Sequence, residues 1–298
     1  MSIIDAHHHV WDLGIRDQDW ISGPEMAAIR RSFTVDDLRP AAAAAGVTAT
    51  VVVQTVTVAE ETPELLALAA ADPLVAGVVG WTDLTSAAIA DDLTRLRSGP
   101  GGRFLVGIRH QVQSEPNPDW LRRPDVIRGL TAVAAAGLCY DLVVRPHQLA
   151  SACYAAAAVP SLTFVLDHAG KPPIAVGAVG DWAADIRALA DQPNTVCKLS
   201  GLVTEAAPDS SAATFAPYAD VMLAAFGPER VMFGSDWPVC LLAGDYAGVV
   251  ALAHSLTAGL SDAERRTVFA LTAARVYGIS GSAAASGEDQ RSGGAPWR

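Results

Sequence analysis

The chain has 298 residues and a net charge of −11, with 51% hydrophobic residues against 18% charged ones. That length holds one large domain or two ordinary ones, with enough apolar residues for a sizeable core. The acidic balance, with no run of Lys or Arg, argues against nucleic acid or an anionic membrane surface as a partner, because both need clustered basic side chains.

The N-terminus reads Met1-Ser2-Ile3-Ile4-Asp5. It lacks the basic stretch and apolar run of a signal peptide, and no apolar run in the chain is long enough to span a membrane. Cys139, Cys153, Cys197 and Cys240 form no CxxC and read as reduced thiols. A cytoplasmic enzyme is the expectation.

Short, nearly continuous apolar runs predict strands over Ile3–His9, Thr50–Val56, Val75–Trp81, Phe104–Gln111, Leu138–Val144, Thr163–His168, Thr195–Leu199 and Arg230–Ser235. Such continuity is what strands of a parallel sheet covered on both faces show. Helix signals lie between them. Thr34 caps a short turn, with a helix restarting near Pro40. Thr62-Pro63 offers a cap followed by proline at the first helical position. "RPDVIRGLTAVAAAG" stops at Gly137 and "FAPYADVMLAAFG" at Gly227. Ser261 and Glu264 have capping-box spacing ahead of a helix that stops at Gly278.

Eight strands alternating with helices predict an α/β fold, a single distorted TIM (β/α)₈ barrel over residues 1–280. An open doubly wound sheet would show a Gly-rich turn after the first strand, where this chain has three histidines. The Gly/Ser-rich stretch 281–298 reads as a disordered tail.

In such a barrel the active site lies at the C-terminal ends of the strands. The first strand ends Asp5-Ala6-His7-His8-His9, and alternation puts Asp5, His7 and His9 on one face and His8 on the other. The fourth ends with Arg109 and Gln111 on one face and His110 turned away. The sixth ends Asp167-His168 and the eighth Ser235-Asp236. His7, His9, His168 and Asp236 are therefore the candidate catalytic or metal-ligating set, because inward strand ends are costly places for unpaired polar groups. Arg109 reads as a substrate clamp, with a core ion pair as the alternative. Lys198, Glu205 and Asp141 also sit near strand ends, where structural ion pairs among them are an open reading. His8, His110, His147 and His254 read as structural.

"DAHHHVW", "GIRHQVQSEP", "RPDVIRGL", "LDHAGKPP", "CKLSGLVTEA" and "FGSDWPVCLL" resemble the amidohydrolase superfamily, in the sugar lactonase branch that includes L-fuconolactonase and L-rhamnonolactonase. The resemblance runs from Ile3 to Gly278. It implies a distorted (β/α)₈ barrel and hydrolysis of an aldono-1,4- or 1,5-lactone, such as L-fuconolactone or L-rhamnonolactone, to the aldonic acid. It also implies metal ligands at His7, His9, His168 and Asp236. The metal-bridging lysine on strand four and the histidine on strand five of many superfamily members are missing here. That leaves either one Zn²⁺, or another divalent metal, or metal-free catalysis; the two readings stand level.

On this reading Asp236 is the general base for water and the proton carrier to the leaving oxygen, with its pKa raised by a partly dry site. His7, His9 and His168 hold the metal, or else donate to the carbonyl oxygen. Trp11 and Trp81, with Trp237, wall the pocket for the sugar ring. Asp141, Glu205 and Gln111 meet its hydroxyls. The expected partner is a small-molecule sugar lactone, with a homo-oligomer left open. A metal-dependent decarboxylase of an aromatic acid and a hydrolase of a dicarboxylate lactone are the rival activities. The second would need several arginines, whereas the strand ends offer mainly Arg109 and Arg145.

Overall fold

Eight parallel strands are hydrogen-bonded in chain order: β1 (Ile3–His8), β2 (Val47–Val53), β3 (Val75–Gly80), β4 (Leu105–His110), β5 (Cys139–Leu142), β6 (Phe164–Leu166), β7 (Thr195–Leu199) and β8 (Val231–Phe233). The computed structural model describes residues 2–208 and 210–279, so the expected tail over 281–298 lies outside the described residues. Helices α1 (Val35–Ala44), α2 (Glu61–Ala71), α3 (Ile89–Ser98), α4 (Pro124–Ala135), α5 (Leu149–Ala158), α6 (Gly180–Ala190), α7 (Ala212–Phe226) and α8 (Tyr246–Leu256) follow the strands or join them. No helix among the described residues is long and apolar enough to cross a membrane.

The eight expected strands are all present, Thr195–Leu199 with the expected bounds and the others differing by at most three residues at either end. Two helix starts differ from expectation. Helix α1 runs unbroken from a Thr34–Asp37 capping box through Pro40, with no restart. Helix α2 begins at Glu61, and Thr62 does not cap it. Instead the Thr62 hydroxyl donates to the Trp81 carbonyl and accepts from the Trp81 N–H, tying α2 to the end of β3.

Inside the barrel, Ile4, Ala49, Val51, Val79, Cys139, Val165, Val196 and Met232 form an apolar layer. Ala270, Ala273 and Tyr277 pack into it from the C-terminal helical run, α9 (Asp262–Arg266), a π turn over Thr267–Leu271, and α10 (Thr272–Tyr277). Polar side chains occupy the strand ends above this layer. The ring closes between β1 and β8 through backbone bonds outside the regular ladder: His9 N–H to Trp237 O at 2.6 Å and Asp236 N–H to His7 O at 2.8 Å.

Candidate active site

Strand β1 does not alternate evenly. Its register against β2 shifts between Asp5 and His8. Ala6 joins the interior layer, and the His7 and His9 side chains still meet, with Nε2 atoms 3.2 Å apart. Asp5 therefore does not sit beneath them as expected. Its carboxylate accepts from Ser235 N–H at 2.8 Å, His7 N–H at 3.2 Å and the Tyr246 hydroxyl of α8 at 2.9 Å. His8 points the other way, with Nε2 2.9 Å from the Thr50 hydroxyl.

Three imidazoles surround one carboxylate oxygen. Asp236 Oδ1 lies 3.5 Å from His9 Nε2 and 3.8 Å from each of His7 Nε2 and His168 Nε2. His9 Nδ1 donates to the Val53 carbonyl at 2.7 Å, which in the neutral ring leaves Nε2 as a lone pair aimed inward. His168 Nδ1 is 2.9 Å from the Ser200 hydroxyl, so its Nε2 also faces Asp236. Burial pushes the His7 imidazole well below its ordinary pKa and that of His168 down to about 4, so both are neutral near pH 7. Burial alone would raise Asp236. The pull of the His168, His9 and His7 imidazoles, exerted when those rings carry a proton, outweighs it and places the carboxyl below the usual carboxylate range. The expected raised pKa is thus corrected: Asp236 is an ionised acceptor.

Under this cluster lies a buried ionic layer. Lys198 Nζ is 2.5 Å from Asp141 Oδ2, 3.0 Å from Asp167 Oδ1 and 3.1 Å from His7 Nδ1. Arg109 Nη1 is 3.1 Å from Asp167 Oδ2 and 3.3 Å from His7 Nε2. The Tyr277 hydroxyl donates to Asp141 from below. Burial raises Asp141 to about 6 against the pull of Lys198, while Lys198 and His7 overcome burial to hold Asp167 low. Two buried cations thus face two buried carboxylates. Among the described ion pairs Asp236 faces only imidazoles, so its buried negative charge has no cationic side chain to balance it.

That imbalance is what a divalent cation would correct. The donor atoms of His7, His168 and Asp236 lie within 4.8 Å of one another, and His9 Nε2 lies beside them, 3.2 Å from His7 Nε2 and 3.5 Å from Asp236 Oδ1. The residues present fit a divalent metal site.

Two of the four residues, His168 and Asp236, sit on strained backbone that the surrounding structure imposes. His168, Ala169 and Lys171 have φ of 54°, 50° and 54°, and Asp236 has φ of 57°, all left-handed conformations rare outside glycine. Gly201 lets His168 approach, since a Cβ there would lie 2.4 Å from His168 Nδ1.

Residues 4–279 match the amidohydrolase family. This chain belongs to the amidohydrolase family. It is 40% identical over 243 residues to an L-fucono-1,5-lactonase of Burkholderia ambifaria, covering 82% of each chain. It is 38% identical to an L-fucono-1,5-lactonase of Burkholderia multivorans, covering 93% of this chain and 96% of the relative. The crystal structure of a Burkholderia multivorans amidohydrolase with bound zinc superposes with a TM-score of 0.88 at 38% identity, over 94% of this chain and all of that one.

Above the cluster the amidohydrolase barrel opens into a cavity of about 790 Å³. His9, His168, Asp236, Arg109, Gln111 and Glu205 line it, as expected of strand-end residues. Trp11, Trp81 and Asp141 do not. Trp11 packs edge-on against Trp20 and Phe33, and its indole N–H donates to Arg31 O. Trp81 donates to His110 Nδ1 at 3.0 Å. Trp237 packs on Phe33. The tryptophan that reaches the cavity is Trp20, on the loop after β1, beside Met26. Arg109 lines the cavity but spends its guanidinium on Asp167 and the Gln54 carbonyl, closer to the core ion pair than to a free clamp. The Lys198–Asp141 pair is as the open reading allowed, whereas Glu205 pairs with Lys171 at 3.2 Å. Residue order alone did not single out Asp167, Ser200 or Trp20. For Asp167 the available signal was a carboxylate directly preceding a candidate ligand.

Proposed function

We propose that this amidohydrolase opens a sugar lactone of the L-fucono-1,5-lactone kind to its aldonic acid, with Asp236 as proton carrier and one zinc ion held by His7, His9, His168 and Asp236. The observation that carries the reading is the convergence of three imidazoles on the ionised Asp236 at the base of a cavity with ample room for a sugar lactone. The L-fucono-1,5-lactonase relatives at 38–40% identity point to the substrate. The N₃O donor set suits zinc.

The residues divide the work. The ionised Asp236 accepts a proton from water as its oxygen adds to the lactone carbonyl, and returns it to the ring oxygen as the C–O bond breaks. A divalent cation held by these residues would acidify the water and polarise the carbonyl. Arg109, fixed by Asp167, places a positive charge beside the reacting centre. Gln111 and the Lys171–Glu205 pair offer donors and acceptors to sugar hydroxyls.

The lining cations support a neutral substrate. Of the four lining cations, Arg109, Arg16 and Lys171 each face a carboxylate, Asp167, Glu64 and Glu205 respectively, and Arg145 donates to the Gln113 carbonyl, so the cavity offers one cation without a carboxylate partner among the described ion pairs, fewer than a dicarboxylate calls for. A panel of aldonolactones, dicarboxylate lactones and aromatic acids, followed by proton release and by CO₂ evolution, tests this. Proton release with aldonolactones is the expected result, and CO₂ from an aromatic acid would overturn it.

A further inference from the structure

His7 is served at Nδ1 by two partners of opposite kind. Lys198 Nζ, which can only donate, is 3.1 Å away, and Asp167 Oδ1, which can only accept, is 3.2 Å away. The opposite nitrogen is equally two-sided. His9 Nε2, an acceptor because His9 Nδ1 donates to Val53, lies 3.2 Å from His7 Nε2, and the donor Arg109 Nη1 lies 3.3 Å from it. A neutral imidazole carries one proton, so two arrangements satisfy this shell. In the first, His7 Nε2–H donates to His9 and Nδ1 accepts from Lys198. In the second, Nδ1–H donates to Asp167 and Nε2 is a lone pair beside Arg109.

The second arrangement sets two imidazole lone pairs against each other at 3.2 Å, which is unfavourable unless a cation lies between them. The first blocks His7 as a ligand, because a metal needs the unprotonated nitrogen. Asp167 Oδ1 supplies the remaining clue. It is buried, 3.0 Å from Lys198 Nζ and 3.2 Å from His7 Nδ1, and is left without a hydrogen bond as the side chains now stand. It is a spare acceptor at the nitrogen that would have to carry the proton in the second arrangement.

We propose that His7 changes tautomer when the site takes up a divalent cation, with Lys198 positioning the empty-site form and Asp167 the loaded form. The Nε2 proton is given up to water as the cation arrives, and Nδ1 takes one proton and donates it to Asp167. The ring is neutral before and after, and His7 makes no net contribution to proton release. Lys198 and Asp167 act through His7 and are positioning residues. The pair would let one imidazole serve both an empty site, as a donor, and a loaded one, as a ligand.

This inference rests on the reading of His7, His9, His168 and Asp236 as a cation site. The test is ¹⁵N NMR of histidine-labelled full-length protein, metal-free and with one equivalent of zinc, with the His7 resonances assigned by their loss in His7→Asn. The expected result is a protonated Nε2 without zinc and a protonated Nδ1 with it. No zinc binding, measured by competition with a chromophoric chelator, would overturn both the site reading and the inference. Zinc binding with an unchanged His7 tautomer would overturn the inference alone. In Asp167→Asn, zinc affinity should fall about 10- to 100-fold, as for other groups that orient metal-bound histidines. If that variant does not fold by circular dichroism, the wild-type tautomer measurement decides by itself.

Discussion

The backbone N–H of Asp236 donates to the carbonyl oxygen of His7 at 2.8 Å, across the seam where the first and last strands meet. The first and last strands are thereby joined through the backbones of Asp236 and His7, whose side chains face each other at 3.8 Å. The same backbone bond closes the barrel and fixes the spacing of two site residues, and the left-handed φ of 57° at Asp236 sets the direction of its side chain.

Asp236→Asn tests the proton carrier without disturbing that seam. Asparagine tolerates the left-handed backbone and keeps the N–H to His7. It cannot take a proton from water. Lactone turnover should fall about 10²- to 10⁴-fold, the usual share of general acid–base catalysis, with an unchanged circular dichroism spectrum. Turnover within a few-fold of wild type would remove Asp236 from the role.

Gly201→Ala tests the approach of His168. A Cβ at Gly201 would lie 2.4 Å from His168 Nδ1, displacing the ring from Ser200 and from Asp236. Gly137→Ala is the matched control. Gly137 has a similar positive φ of 69°, but a Cβ there meets nothing nearer than Arg97 Nη1 at 3.8 Å. Each substitution should cost about 1 kcal/mol of stability from the left-handed alanine. Only Gly201→Ala should also lose turnover, about 100-fold for a ring moved by roughly 1 Å. Equal activity in the two variants would show that the close approach has no functional weight.

The eight strands were legible because strands buried on both faces read as apolar runs, and the strand ends pointed to His7, His9, His168 and Asp236. The misplacement of Asp5 has a local cause. A register shift inside the first strand breaks the alternation that its sequence implies, and nothing in "IIDAHHH" marks where the extra residue falls. Lys198 was visible as a lone charge in the apolar "TVCKL", but its partners Asp141 and Asp167 come from strands brought beside it only by the ring order. The exchange of Trp11 for Trp20 as the cavity tryptophan depends on the path of an irregular loop, for which spacing has no rule.

Metal removal separates the two chemical readings of the imidazole cluster. On the reading of His7, His168 and Asp236, with His9 beside them, as a cation site, chelated protein should lose lactone hydrolysis and regain it with one equivalent of zinc. A second readout is independent of turnover. Zinc at 100 times its dissociation constant should stabilise the fold by about 2.7 kcal/mol, seen as a rise in melting temperature. Full activity after exhaustive chelation, confirmed by elemental analysis, would leave the imidazoles acting on the carbonyl oxygen by themselves.

A pH effect on stability is expected away from the cluster, at His110. The Trp81 indole N–H donates to His110 Nδ1 at 3.0 Å, so that nitrogen must be a lone pair. Nε2 then donates to Glu115 at 2.7 Å, and the ring stacks on Trp120 at 4.3 Å. Adding a proton would set two N–H groups head to head. Burial lowers the His110 pKa against the opposing pull of Glu115. The unfolded chain, with a histidine near 6.5, therefore binds more protons than the folded one between 6.5 and the lowered value. This contribution is fully present above about pH 6.5 and is lost as pH falls through that window, by less than about 1.4 kcal/mol per pH unit. His110→Asn keeps an acceptor for Trp81 and cannot titrate. Urea midpoints of the two proteins at pH 7.5 and 5.5 should show the smaller pH dependence in the variant. Equal dependence in both would mean that His110 does not report acid into the fold.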